Sequence, residues 1–361
     1  MERWVIDIAR RAIGEARLNE AEAVTLDEGV VEVRLTRFAM TANNVTYAAL
    51  GAPSSLFDNG KGYWDFFSPL DGAGRLPVWG FAQVTSSQVE GLSEGEGLFG
   101  YFPLASHARL RPAQIGDQGF DDASPHRADM PAFYNRYQRV AAMHGYEEEK
   151  RDWWLVFRPL YLTGWLIADQ LEEEADREAE QIVVASASSK TAVSLAHATR
   201  TRQDRPRLVG LTSPRGRAFL EPLRLYDELV VYDEVTSLPL ARSVYVDVAG
   251  NRAVTAAVHE HLGDELALNL VVGRSHWDAG QGDRPWASAK FFAPGRVGKR
   301  MKDWGPQAFF ERSGRAWKSF LEDAPAMFQI EGREGPEAAL QAYREAVAGA
   351  LEPRLPVVVA L

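Results

Sequence analysis

The chain has 361 residues, 46% hydrophobic and 25% charged, ordinary proportions for a soluble globular protein with room for about two domains. Its formal net charge of −10 argues against a nucleic-acid partner or an anionic membrane surface, both of which it would repel. There is no cysteine, which excludes disulfides, thiolate zinc sites and a cysteine nucleophile.

No apolar run approaches the ~20 residues needed to cross a bilayer. The opening MERWVIDIARRA lacks the apolar core of a secretory signal. A cytoplasmic location is the expectation these absences leave. A mixed, charged leading segment runs to residue 24. Val31, Val33 and Leu35 then alternate with Glu32, Arg34 and Thr36, which predicts a half-buried strand over 29–40. Thr41 to Gly51 predicts a short helical turn closed by glycine. Residues 52–75, rich in Gly, Pro, Asp and aromatics, predict loops. A strand follows over 76–85, where Gly80 marks a bulge or a close backbone approach. A turn and strand over 91–102 and an edge over 106–111 complete a β-rich region. Residues 112–131 predict a polar loop and Phe133 to Trp153 a helix. A second helix over 155–174 is expected to break near Pro159 and Gly164.

From residue 181 the pattern becomes regular. Ile182 to Ala185 is a continuous apolar run, as in a strand buried on both faces. A serine-rich turn and a helix from Ser189 to Arg200 follow. Strands over 207–212, 228–232, 243–248 and 265–273 alternate with helices over 215–225 and 253–262. This alternation predicts a doubly wound parallel sheet, whose ligands bind beyond the carboxyl ends of its strands. Residues 274–306 read as loop-like and basic. Helices over 309–321 and 336–351 and a closing strand over 356–361 end the chain.

Several segments in this order resemble the medium-chain dehydrogenase/reductase superfamily, in its zinc-free quinone-oxidoreductase-like branch. Val31 to Gly51 is similar to the opening strand and "VNxxDxxxxxG" turn. Pro77 to Leu110 is similar to the glycine-punctuated hairpin region, with Gly80 at its first glycine. Arg158 to Trp165 resembles "LPLxxLTAY", Leu225 to Tyr232 "LGADEVIDY", Asp247 to Gly250 "DxVG", and Ala338 to Leu361 the closing "AxxxxxxGxxxGKVVL". The SASSKTA turn also resembles that of an uncharacterised family within the superfamily. The resemblance implies an α/β chain: a GroES-like β-rich domain over 1–150, completed by a return segment over 281–361, and a Rossmann-type dinucleotide-binding domain over 151–280. It implies a small-molecule substrate, NADP(H) as cofactor, and a homodimer.

The sequence departs from the family twice. A catalytic zinc site needs Cys and Gly-His-Glu, but Phe81 and Ala82 follow Gly80 and cysteine is absent, so no metal is expected. The turn also lacks GxGxxG. Ser186, Ser188, Ser189, Lys190 and Thr191 are the candidate diphosphate contacts at the helix start, where unpaired N–H groups favour an anion. Serine is small and its hydroxyl donates to phosphate, but it does not relieve positive φ as glycine does. Lys190-Thr191 lacks the glycines of a P-loop, which argues against ATP.

The second strand of the sheet runs out as Thr212, Ser213, Pro214, Arg215, Gly216, Arg217, with no acid. Its donors suit a ribose 2′-phosphate, hence NADPH rather than NADH; solvated arginines are the plainer reading. By resemblance, Tyr232 lies beside the same phosphate, and Ala249, Gly250 and Gly273 close the cofactor edge. Thr163 either lines the cofactor cleft or packs a helix. Tyr47 and Asn44 are the catalytic candidates, as donors to a carbonyl gaining charge; Tyr47 is otherwise a core aromatic. Phe57, Tyr63, Trp64, Phe66 and Phe67 either wall an apolar pocket or pack their loop. The basic run Arg296, Lys299, Arg300, Lys302 either attracts an anion or is a solvated face. His259 and His261 fall on different faces of a helix and suit no metal. The reading is a zinc-independent NADPH-dependent reductase of a quinone, enone or related carbonyl. The rival reading is a nucleotide- or metabolite-binding protein of the same fold without turnover.

Overall fold

The computed structural model describes residues 2–23, 25–52, 60–67, 72–174, 178–273 and 286–361. The chain divides into two units, Met1–Val156 with Ile330–Leu361, and Phe157–Gln329.

The first unit is built on strands. The charged leading segment is a hairpin, not a coil: β1 (Trp4–Ala9) pairs antiparallel with β2 (Ala16–Glu20). Trp4, Val5, Ile6 and Ile8 are buried, and this apolar payload outweighs the charges around it. β3 (Val31–Met40) follows, then the helix α1 (Ala42–Ala49). β4 (Ala73–Arg75) joins β1. β5 (Pro77–Ser87) pairs with both β3 and β6 (Gly97–Pro103). At Gly80 both readings hold. A Cβ there would lie 2.7 Å from Leu35 Cδ1, and the β3–β5 register slips between Leu35 and Arg37. β7 (His107–Leu110) lies against β3.

The expected polar loop over 112–131 contains the hairpin β8 (Pro112–Gly116) and β9 (Gly119–Asp122). The expected helix over 133–153 is mostly something else. It is one short turn, α2 (Ala132–Asn135), then β10 (Arg136–Arg139), which bridges β6 and β9. Tyr137 anchors this strand: it is fully buried and its hydroxyl donates to the Tyr101 carbonyl at 2.5 Å.

α3 (Arg151–Glu174) is one helix, with Pro159 inside it, and the boundary between the units falls within it. The second unit has the regular alternation expected: β11 (Gln181–Ala185), α4 (Lys190–Arg200), β12 (Arg207–Thr212), α5 (Pro214–Leu220), β13 (Glu228–Val231), β14 (Ser243–Asp247), α6 (Arg252–Leu262) and β15 (Leu266–Val271). β16 (Ala289–Lys290) adds to β15. The strands are parallel in the order β13-β12-β11-β14-β15-β16. That is the 3-2-1-4-5-6 order of a doubly wound dinucleotide fold, with its switch point between β11 and β14.

The segment expected to be loop-like up to residue 306 includes the helix α7 (Ala293–Trp304), which leads into α8 (Pro306–Met327). Both belong to the second unit, where β16 extends the sheet and Phe320 packs on Phe157 and Tyr161. The first unit therefore resumes at Ile330 rather than 281. There β17 (Glu331–Glu334), α9 (Gly335–Val347) and β18 (Val357–Ala360) bring the chain back onto β3.

Candidate functional site

Register places the carboxyl ends of five strands side by side. Ala185 of β11 stands level with Leu211 and Asp247, Thr212 with Val231, and Asp247 with Val271. The residues that follow these positions share one edge of the sheet. They include Ser186, Ser188, Ser189, Lys190, Thr191, Ser213, Tyr232, Ala249, Gly250 and Gly273, with Thr212 closing its own strand.

The serine turn does bend without glycine. Ser186 takes φ 53°, in the left-handed region. Its carbonyl accepts from the Ser189 N–H at 2.8 Å, and its Oγ lies 3.4 Å from the Tyr232 hydroxyl. Ala187 N–H donates to Leu211 O at 3.1 Å, stitching the turn to β12. Ser189 is the N-cap of α4, its Oγ accepting from the Ala192 N–H at 3.2 Å. The N–H groups of Ser188 and Thr191 form no hydrogen bond among the described residues. A diphosphate needs donors of this kind, so the turn fits one. Lys190 keeps part of its surface, yet desolvation brings its ammonium down to about 8.

The neighbouring strand ends are built as caps. Thr212 Oγ1 donates to Ser188 Oγ at 3.4 Å, and Ser213 caps α5, accepting from Gly216 N–H at 3.1 Å. Arg215 and Arg217 sit exposed in the first turn of α5, with Arg217 3.8 Å from Glu234. Burial raises the Tyr232 phenol. After β14, the buried Asp247 accepts from Gly250 N–H at 2.7 Å through Oδ1 and from Thr255 Oγ1 at 3.1 Å through Oδ2. Gly250 has φ 73°, which explains the glycine. Asp247 opens the segment that resembles "DxVG" but is not among the expected cofactor contacts; it shapes the loop of Ala249 and Gly250. Its signal was the DVAG run itself.

The remaining candidates also make structural contacts. Thr163 Oγ1 donates to Pro159 O at 2.9 Å within α3. In the first unit, Asn44 Oδ1 accepts from the Thr41 N–H at 2.9 Å and its Nδ2 donates to Pro77 O at 3.3 Å, so its amide fixes α1 onto β5. Tyr47 is buried among Tyr63 and Tyr101, with ring centroids at 4.6 and 5.5 Å. Trp79 Nε1 donates to its hydroxyl at 3.4 Å, and burial raises its phenol. Tyr63, Trp64, Phe66 and Phe67 are core residues rather than the wall of a pocket, and Phe57 lies outside the described residues. Arg296 and Arg300 are neither anion attractors nor a solvated face. Both are buried against Asp169, at 2.6 and 2.7 Å. His259 Nε2 lies 2.9 Å from Asn269 Nδ2, and His261 Nε2 lies 2.8 Å from Leu238 O.

Residues 38–352 match the family model described as "Protein of unknown function (DUF2855)". The chain belongs to the DUF2855 family. No curated protein matches this DUF2855 chain. Among solved structures, CurA from Vibrio vulnificus is similar at 14% identity and TM-score 0.62, over 99% of this chain and 98% of CurA. CurA in complex with NADPH, from the same organism, aligns at 14% identity and TM-score 0.61 over 99% and 98%. A quinone oxidoreductase of Pseudomonas syringae pv. Tomato DC3000 aligns at 14% identity and TM-score 0.59 over 99% and 100%. Identity this low speaks for the fold. The DUF2855 chain has the α/β fold of the medium-chain dehydrogenase/reductase superfamily, a GroES-like β-rich unit with a Rossmann-type parallel sheet.

Proposed function

We propose that this chain is a zinc-independent, NADPH-dependent oxidoreductase that reduces a small-molecule quinone, enone or related carbonyl. The observation that carries the reading is the serine turn at the switch point, whose Ser188 and Thr191 N–H groups form no hydrogen bond among the described residues. NADPH supplies a hydride when bound. Ser188, Ser189 and Thr191 present hydroxyls and N–H groups to its diphosphate, with the partial charge of the α4 start behind them. Ser213, Arg215 and Arg217 at the start of α5, with Tyr232 beyond β13, suit the 2′-phosphate. Ala249, Gly250 and Gly273 give the ligand backbone to lie against. The Tyr47 hydroxyl accepts from Trp79 Nε1 and has its own proton to give, so it serves as donor to a substrate oxygen that gains charge. Two proteins of this fold, CurA and mycobacterial Rv1454c, are solved in complex with NADPH, which supports the choice of cofactor. A homodimer and a cytoplasmic location belong to the same proposal.

One observation favours the rival reading, a binding protein without turnover. Both catalytic candidates are occupied: Asn44 fixes a helix, and the Tyr47 hydroxyl already accepts from Trp79. Calorimetric titration with NADPH and NADH, followed by turnover assays with quinones and enones, separates the readings. Binding of NADPH with turnover is the expected result. Binding without turnover selects the rival. No binding of either nucleotide rejects the reductase and leaves the rival only with a ligand other than a nicotinamide nucleotide.

A further inference from the structure

The turn after β11 bends without its glycines because its neighbours make the room. A Cβ at Gly210 of β12 would lie 2.8 Å from Leu229 Cδ2, 2.9 Å from the Tyr226 ring and 3.0 Å from Ala187 Cβ. A Cβ at Gly216 would lie 2.1 Å from Thr212 Oγ1 and 2.8 Å from Ser188 Oγ. The missing glycines are thus displaced onto the elements that face the turn.

Tyr226, buried, fills the space these elements leave beneath it. Its hydroxyl reaches two carbonyls, Ala187 O at 3.0 Å and Ala192 O at 3.1 Å. One phenol therefore spans the turn and the first turn of α4. The Ala187 carbonyl and the Ser188 N–H belong to one trans peptide unit, and they point in opposite directions. A donor that draws the carbonyl inward aims that N–H outward.

We propose that Tyr226 is a positioning residue for the diphosphate: by holding the Ala187 carbonyl, it directs the Ser188 N–H at the ligand. The inference rests on the nucleotide-binding reading above. It assigns to a buried phenol the work that glycine backbone geometry does elsewhere, and it places that work on a side chain that touches no ligand.

The test is calorimetric titration of the full chain with NADPH and with adenosine 2′-monophosphate, which lacks the diphosphate. Tyr226→Phe is expected to weaken NADPH about tenfold and adenosine 2′-monophosphate less than about twofold. Tyr343→Phe removes another buried phenol bond, the 2.7 Å one to Ile13 O in the first unit, and is expected to change neither ligand. If Tyr226→Phe does not fold, Gly210→Ala presses on the same ring and must show the same selective loss. Unchanged NADPH affinity, equal loss of both ligands, or an equal loss in Tyr343→Phe overturns the inference. A wild-type chain that binds no NADPH rejects the nucleotide reading itself, a different result from a wild type that binds and a variant that binds as well.

Discussion

Ser186 carries the sharpest conflict between residue type and backbone. A serine in the left-handed region costs about 1–2 kcal/mol, while glycine would add about 0.5–1 kcal/mol of unfolded-state entropy. Ser186→Gly is therefore expected to stabilise the chain by roughly 0.5 kcal/mol in urea unfolding. A loss of stability would mean that the Ser186–Tyr232 contact outweighs the strain. Arg215 carries the argument for the 2′-phosphate. Arg215→Ala is expected to weaken NADPH by about tenfold and leave NADH unchanged, since a charge-assisted phosphate contact is the one removed. Equal losses for both nucleotides would contradict that role. At this scale the sequence was legible where a residue's chemistry is local, as for Ser189 and Ser213, both N-caps at the expected helix starts. It was illegible where a partner comes from far along the chain. Asn44 is tied to Pro77, Tyr226 to Ala187, and Arg296 to Asp169, across 33, 39 and 127 positions.

At the scale of elements, α3 and α7 are joined by charge. Arg296 and Arg300 of α7 meet Asp169 and Glu173 of α3, and Lys299 adds to Glu173 at 2.9 Å. Lys299 and Lys302 of the basic run are exposed, as a solvated face requires, but Arg296 and Arg300 are buried against acids of another helix that the run itself does not announce. Lys299, then Arg296 and Arg300, pull the Glu173 carboxyl from 4.5 down to about 2. A carboxyl lowered in the fold contributes stability that is complete above 4.5 and is lost as pH falls towards 2. The melting temperatures of wild type and Glu173→Gln should therefore differ at neutral pH and converge near pH 2. A constant difference would contradict the assignment. α3 and α4 meet at Gly164, where a Cβ would lie 2.5 Å from Leu195 N and 2.7 Å from Ser194 Cβ. Because backbone stands in the way, Gly164→Ala should cost about 1–3 kcal/mol in denaturant unfolding, and an unchanged midpoint would contradict the close approach. Pro159 and Gly164 looked like breaks in α3. Gly164 is a contact, and Pro159 is accommodated with its carbonyl bonded by Thr163.

For the whole molecule, the parallel sheet was the readable part. Each strand is a short apolar run set off by turn residues, and the order β-α-β leaves few topologies open. The first unit was readable only in part, because its strands pair across long separations. The leading hairpin, β8, β9 and β10 carry mixed charges and show no clean alternation. All but β8 are held by burial that a window of sequence does not reveal, such as Phe120 and Tyr137 stacked at 5.4 Å, and β8 is held by its pairing with β9. The return to the first unit was misplaced for the same reason: β16, α7 and α8 pack with the second unit, and nothing local to 281 or 330 announces it.

The central claim is that a hydroxyl-rich bend at the sheet's switch point grips a diphosphate. Amide hydrogen exchange over 186–193, measured with and without saturating NADPH, tests it most directly. The account predicts that the Ser188 and Thr191 amides slow at least about tenfold when the nucleotide is added, as new acceptors close on them. Exchange there that stays the same, under conditions where NADPH is bound, would contradict it.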